Sequence, residues 1–288
     1  MLTVGDIRII LLNDVMTYVD GGGAFGLVPR KLWARVLPPD DDNLVPMCQT
    51  CLYVEVGNTR IIVDTGLGDK LDDKQRRFWN VRNDGGLLRG LQVLGVSPSE
   101  IDLVIDTHLH ADHCSGNTTW VDESHTRVRA VFSNAQYVVQ AREYEDAMRP
   151  NERTRATYFP INYQPLVETG QMRLLEGDEE LAPGVWSMVT PGHTPGHMSV
   201  RFTSGGQAAA FVCDLATYAV HFERLGWMTA YDVEPLRTLE TKRLWQAWAL
   251  ETNATLIFPH DSVRPVARLV HAGEGVTLEA LPIRHLGA

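Results

Sequence analysis

Three histidines and an aspartate crowd into one short stretch, T-H-L-H-A-D-H, with His108, His110, Asp112 and His113 as its reactive members. Such a set serves no packing purpose, because charged and imidazole side chains at this density are poor core fillers. Imidazole and carboxylate groups gathered this closely are metal ligands. Residues 101–106, Ile-Asp-Leu-Val-Ile-Asp, form a short apolar run rich in β-branched side chains, which reads as a buried strand delivering the histidines at its end. On extended backbone His108 and His110 point the same way, so two imidazoles can grip one ion. Asp112 and His113 follow after the chain has turned and can face a second ion beside the first.

Nitrogen and oxygen donors without a thiolate suit zinc, and also manganese, iron or cobalt. A zinc ion lowers the pKa of a bound water to about 7. Held between two ions roughly 3.5–4 Å apart, that water is a nucleophile whose attack and developing charge are both stabilised. The expected cofactor is therefore a pair of divalent ions, zinc first among them.

The stretch resembles the H-x-H-x-D-H signature of the metallo-β-lactamase superfamily, and four further motifs follow the same order along the chain. Residues 190–197, T-P-G-H-T-P-G-H, look like the family's second ligand loop. The apolar run 208–213 ends in Asp214, Phe258-Pro259-His260 follows another apolar run, and residues 60–66, R-I-I-V-D-T-G, resemble the strand and turn behind the metals. The resemblance implies an αββα sandwich, two mixed β-sheets flanked by helices. It implies His108, His110 and His193 on one ion, Asp112, His113 and His260 on the other, and Asp214 bridging them. Asp64 is then the acceptor that holds a ligand histidine from behind. His197, despite its Pro-Gly-His repeat with His193, is expected to support the loop through a buried hydrogen bond rather than bind metal.

Within the superfamily the chain looks most similar to lactonases and related ester and organophosphate hydrolases. The function this implies is hydrolysis of a lactone or other carboxylic ester by a bridging hydroxide, with Asp112 taking part in catalysis. A phosphotriester hydrolase is the first alternative, and an iron-dependent oxidoreductase of the same fold the second. Lactonases of the acyl-homoserine type carry a tyrosine three residues after the bridging aspartate; here Thr217 stands there and Tyr218 follows. Tyr218 is still the expected oxyanion donor, with His221 as the fallback on the same loop and a Tyr218 packed into the wall as the bland alternative.

Composition bounds the rest. A chain of 288 residues with 44% hydrophobic side chains can bury a large core. Because ligands run from His108 to His260, residues 1–288 are expected to form one domain. A formal charge of −10 disfavours a nucleic-acid surface. The substrate is expected to be a small molecule, and a homodimer is left open. The N-terminus lacks the basic and apolar regions of an export signal, and no run reaches the roughly 18–20 apolar residues of a membrane helix. A cytoplasmic protein without membrane contact is the expectation. Cys114 and Cys213 then read as small buried fillers, and Cys48 and Cys51 as a lone C-x-x-C without the second pair a structural zinc site needs.

Strands are expected at residues 7–12, 51–56 and 60–63, with a Gly57-Asn58 hairpin, and again at 171–175, 185–189 and 198–202. Helices are expected at 87–94, stopped by Gly95, and at 236–250. Two long irregular regions remain. Residues 18–46 carry Phe25, Leu27 and Trp33 and read either as a loop covering the site or as a segment docked with these side chains in the core. Residues 143–164, with Tyr144, Met148, Tyr158, Phe159 and Tyr163, read either as an apolar pocket wall or as core-filling helix.

Overall fold

The strand ahead of the histidines forms at Leu103–Ile105, and in this computed structural model, which describes residues 1–82 and 86–286, it lies in parallel between Thr59–Val63 and Gln136–Gln140. All three of its residues are buried. A parallel strand with neighbours on both edges and cover on both faces has no polar position, which accounts for the unbroken apolar run.

Two seven-stranded mixed sheets build the molecule. The first runs in the order Leu2–Val4, Ile7–Asp20, Leu44–Val56, Thr59–Val63, Leu103–Ile105, Gln136–Gln140, Met172–Leu175. The second runs Glu179–Ala182, Val185–Val189, Met198–Ser204, Gln207–Phe211, Thr255–Ile257, Val266–Ala272, Gly275–Ala280. Ile9, Leu11, Val54 and Val63 of one sheet meet Val200, Phe202, Phe211 and Ile257 of the other in a common interior. Each such side chain withdrawn from water contributes about 1.5–3 kcal/mol, which holds the two layers face to face. Leu91 and Ala147, on the helices Leu87–Leu94 and Ala141–Met148, cover the outer face of the first sheet. Trp245 and Ala249 of the helix Pro235–Thr252 cover the second. The fold is the αββα sandwich expected of the sequence.

Local signals act as read. Gly95 ends the helix Leu87–Leu94 in the left-handed conformation, φ 71°, where a side chain costs most. The hairpin at Gly57-Asn58 joins Val56 to Thr59. The strands Ile7–Asp20 and Leu44–Val56 are longer than predicted and stay paired out to Asp20 opposite Leu44. Residues 18–46 are therefore not one loop: strand ends flank two helical turns, Gly21–Phe25 and Arg30–Trp33. The rings of Phe25 and Trp33 stack at 4.9 Å and pack with Val45, Tyr218 and Val220. The docked alternative thus describes Phe25 and Trp33, while Leu27 is fully exposed. No described helix is long and apolar enough to cross a membrane.

Candidate metal centre

Parallel strands place the reactive residues together. Thr59–Val63 and Leu103–Ile105 end at the same side of the first sheet, delivering Asp64 and His108, and Gln207–Phe211 and Thr255–Ile257 do the same in the second, delivering Asp214 and His260. Strand ends of like polarity make one crowded edge. His110 caps a helical turn, Ala111–Cys114, that contains Asp112 and His113. This is the turn of the backbone the spacing required.

Two ligand sets result. His108, His110 and His193 form one cluster and Asp112, His113 and His260 another, each with its donor atoms within 4.8 Å of one another. His110 Nδ1 lies 3.1 Å from both His108 Nε2 and His193 Nε2, and His113 Nε2 lies 3.2 Å from His260 Nε2. Asp214 stands between the sets: its Oδ2 is 3.2 Å from His193 Nε2 and its Oδ1 is 3.1 Å from His260 Nε2. All seven side chains are buried.

Burial and the neighbouring imidazoles hold His108 and His110 well below the usual histidine range, so their lone pairs are free. Burial works against the charge of Asp214, yet His260, His193 and His113 outweigh it and hold that carboxyl well below the carboxylate range. Imidazole nitrogens that face one another at 3.1 Å cannot all be satisfied by protons. Asp214 Oδ1 is buried without a hydrogen-bond donor. Cations shared among these atoms resolve both problems, so the donor set fits divalent metal.

The far nitrogens of four of the rings are also held, as metal-binding histidines require. His113 Nδ1 lies 2.9 Å from Asp64, His193 Nδ1 3.0 Å from Asp232, His260 Nδ1 2.7 Å from the carbonyl of Cys48, and His108 Nδ1 3.2 Å from the Thr107 hydroxyl. Asp64 also accepts from the backbone N–H and hydroxyl of Thr107, at 2.8 and 2.9 Å, which ties the first ligand loop to the strand end behind it. His197 is fully buried beside the second ligand loop. The backbone N–H of Asp214 donates to its Nε2 at 3.1 Å, while its Nδ1 lies 2.8 Å from the Thr190 hydroxyl. Burial first, and then the charge of His193, push His197 down to about 3, so it stays neutral and can accept that bond.

Cys213 forms a third close group with His108 and His113. Its thiol faces His113 Nδ1 at 3.6 Å and Asp64, on the side of the ring opposite the nitrogen shared with His260. Burial pushes the thiol well up, so it remains a small filler. Cys48 and Cys51 are buried and free; their odd spacing along one strand turns them to opposite faces.

The structure departs from the sequence reading at Tyr218 and His221. The Tyr218 hydroxyl donates to the Pro46 carbonyl at 3.1 Å, its ring stacks on Phe25 at 5.7 Å, and it does not line the metal cavity. Cys213–Ala216 is a 3₁₀ turn, in which residues three apart eclipse. Thr217, which follows this turn, lines the cavity with Asp214, and Tyr218 does not. His221 is buried against Phe25, ring centroids 5.2 Å apart, with no protein partner for either nitrogen, and is likewise absent from the cavity wall. Neither reaches the ligands.

Two supporting residues escaped the sequence reading. Asp232 carries no motif and lies 39 residues from the histidine it holds. Glu143, fully buried, accepts from the Leu109 N–H at 3.0 Å, from the Tyr158 hydroxyl at 3.0 Å and from the Thr194 hydroxyl at 2.5 Å. It thereby joins the loop of His108 and His110 to the loop of His193. A Cβ at Gly196 would come within 2.2 Å of the Glu143 backbone nitrogen, which explains one glycine of the P-G-H-T-P-G-H loop; that glycine was the only available signal.

A cavity of about 590 Å³ opens over His110, Asp112, His193 and Asp214. Val19, Leu44, Met47, Phe78, Trp79 and Val233 supply its apolar wall, and Arg153, Thr154 and Thr157 its polar edge. The aromatic content of 143–164 is not the wall: Tyr158 and Tyr163 pack into the core.

Comparison with known proteins agrees with this geometry. The sequence profile of the metallo-beta-lactamase superfamily matches residues 46–280. An N-acyl homoserine lactonase of Bacillus cereus is 27% identical over 231 residues, covering 76% of this chain and 83% of that one. The crystal structure of a probable metal-dependent hydrolase from Staphylococcus aureus superposes with a TM-score of 0.89 at 28% identity, covering 98% of this chain and 99% of the other. AidC, a dizinc quorum-quenching lactonase in complex with a product, superposes at 0.80 with 19% identity over 99% and 97% of the two chains, a likeness of fold.

Proposed function

We propose that this chain, which belongs to the metallo-β-lactamase superfamily and is a metal-dependent hydrolase, uses two divalent ions to cleave a lactone or other carboxylic ester that carries an apolar arm. The observation that carries this reading is the pair of ligand triads on either side of Asp214 at the floor of an apolar-walled cavity. When bound, such a pair of ions activates a shared water near neutral pH and polarises the carbonyl it attacks.

The chain's own residues do the rest. His108, His110 and His193 would hold one ion and Asp112, His113 and His260 the other, with Asp214 placed between the two sets. Asp64 and Asp232 fix the tautomers of His113 and His193 and so aim their Nε2 atoms inward. Asp112 is the candidate ligand carboxylate that lines the cavity beside Asp214, and it can take the proton released by the attacking water and pass it to the departing alcohol. Val19, Leu44 and Met47 exclude water from the arm of the substrate. Lactone cleavage is the activity named for the Bacillus relative, and the hydrolytic activities of the relatives weigh against the iron-dependent oxidoreductase alternative. The whole described chain works as one domain around this centre, since ligands come from both sheets.

Metal analysis by mass spectrometry, paired with a panel of lactone, aryl ester, phosphotriester and thioester substrates, tests the proposal. About two ions per chain and fastest turnover on a lactone or ester are expected. A single ion, unaffected by removal of Asp112 and His113, overturns the dinuclear reading. Preferred turnover of the phosphotriester replaces the substrate class.

A further inference from the structure

We propose that the segment 281–286 is a strap that sets the His260 half of the metal centre, with His285 as a positioning residue that acts through Thr50. The inference rests on the two-ion reading of the site above. The strap lies outside residues 46–280, the part of the chain matched by the superfamily profile.

The strap crosses from one sheet to the other. It leaves the strand Gly275–Ala280 with the Leu281 N–H donating to the Val266 carbonyl at 2.9 Å, and it reaches the first sheet with the Leu286 N–H donating to the Leu11 carbonyl at 2.8 Å. Its side chains alternate: Leu281, Ile283 and His285 are partly buried, Pro282 and Arg284 exposed, which is the period of extended backbone. Leu281 and Ile283 pack on the interior between the sheets. The third inward position holds an imidazole where an aliphatic side chain would serve for packing alone. A polar ring turned inward needs a partner, and His285 Nε2 meets the Thr50 hydroxyl at 2.8 Å. Burial, followed by the charge of Arg284, pushes this histidine down to about 4, so the ring is neutral at pH 7.

Thr50 is the junction between strap and metal centre. It and Cys48, two residues apart on the strand Leu44–Val56, together hold the Pro259-His260 segment of the second sheet. The Thr50 N–H donates to the Pro259 carbonyl at 3.0 Å and the Cys48 N–H to the His260 carbonyl at 3.3 Å. The Cys48 carbonyl accepts from His260 Nδ1 at 2.7 Å, which aims His260 Nε2 at His113 and Asp214. The Thr50 hydroxyl also lies 3.6 Å from the Cys48 thiol, which donates to the Pro259 carbonyl at 3.5 Å. A strand that shifted at Thr50 would therefore carry the acceptor of His260 with it. The set of His108, His110 and His193 rests instead on Thr107, Glu143 and Asp232, which lie on other elements. The strap thus bears on one ligand set and not on the other.

The test is titration of the metal-free protein with zinc against a chromophoric chelator, which resolves the two binding steps. His285→Ala is expected to lower one affinity about 10-fold and leave the other unchanged, while His285→Gln, whose amide can meet the Thr50 hydroxyl, keeps both. Thr50→Val should reproduce the loss, and combining it with His285→Ala should cost nothing further. In a His260→Ala background, which keeps the His108, His110 and His193 set, His285→Ala should leave the remaining affinity as it is. Equal weakening of both steps, or weakening of the remaining step in that background, overturns the proposal. So do two unchanged affinities in His285→Ala; a lower melting temperature of the metal-free variant would then show a strap that only stabilises the fold. If His285→Ala does not fold, Thr50→Val is read in its place by the same outcomes. Wild-type protein that binds fewer than two ions overturns the two-ion reading instead, and is seen before any substitution is made.

Discussion

The ligand cradle and the segment that follows Asp214 lie side by side and are built on opposite terms. In the cradle, His108, His113, His193 and His260 each have the far ring nitrogen engaged by a hydroxyl, carboxylate or carbonyl. A few residues later, Thr217 and His221 are buried with polar atoms that nothing in the protein satisfies, and Tyr218 serves to pack Phe25 and hold Pro46. One region is over-determined by hydrogen bonds; the other is held by apolar contact and leaves polar groups spare. Rigidity of the ligands and readiness for a substrate are thus assigned to different pieces of chain.

The sharpest way to break that comparison is to remove the residue both regions share. Asp214→Ala is expected to lose metal and activity together, down to background, because Asp214 spans both histidine sets. Metal analysis of the purified variant checks this. Two ions retained per chain would mean that each triad binds independently and that the spanning carboxylate is dispensable.

Next in size are the groups behind the ligands. Asp232→Ala leaves His193 Nδ1 without its acceptor, and metal affinity measured by chelator competition is expected to fall about 10–100-fold. Glu143→Gln should act in the same direction by a smaller amount, since it weakens the tie between the Leu109 and Thr194 loops without touching a ligand. If neither variant changes affinity, the claim that the cradle is over-determined by its supporting bonds fails.

The two regions also differ in how much of them could be read from the letters. The clustering of the candidate ligands was legible because a metal would impose residue type and spacing locally: His108, His110, Asp112 and His113 need only a strand end and one helical turn. The same holds for Gly95, Gly57 and the apolar strand before His108, where backbone conformation or burial dictates the residue. For Tyr218 the sequence left two placements, over the metals or packed in the wall; the ring stacks on Phe25 and the hydroxyl meets Pro46, while Thr217 lines the cavity. Asp232 and Glu143 reach the site from elements remote in sequence, and the stacking of Phe25 on Trp33 depends on a pairing of long strands out to Asp20 and Leu44. Contacts set by packing between distant segments leave no periodic or spacing signature.

A finer test concerns Tyr218. Tyr218→Phe removes one hydrogen bond to Pro46 and is expected to cost about 0.5–1.5 kcal/mol of stability, read as a melting temperature lower by a few degrees. Turnover and metal content should not change. A fall in kcat of about 10²-fold would return the phenol to the mechanism and show that substrate binding turns it into the cavity.

The smallest effect expected is an increase. His221 is about 1% exposed, neither of its nitrogens has a protein partner, and burial, followed by the charge of Lys242, pushes its pKa down to about 3. It is therefore neutral in the folded protein at pH 7, and burying its unmatched nitrogens opposes folding. His221→Met replaces the ring with an adaptable apolar side chain and is expected to raise stability by about 1 kcal/mol, a rise of roughly 2–4 °C in Tm for a chain of this size, with activity kept. The pH dependence carries the same signature. Because the unfolded ring takes up a proton near 6.5 and the folded one only near 3, wild-type stability contributed by this group is lost as pH falls between those values. Thermal scans from pH 7 to pH 4 should show a shallower acid slope in His221→Met. An equal slope together with a lower melting temperature would mean that His221 is hydrogen-bonded in solution, and that the segment after Asp214 is as fully satisfied as the ligand cradle beside it.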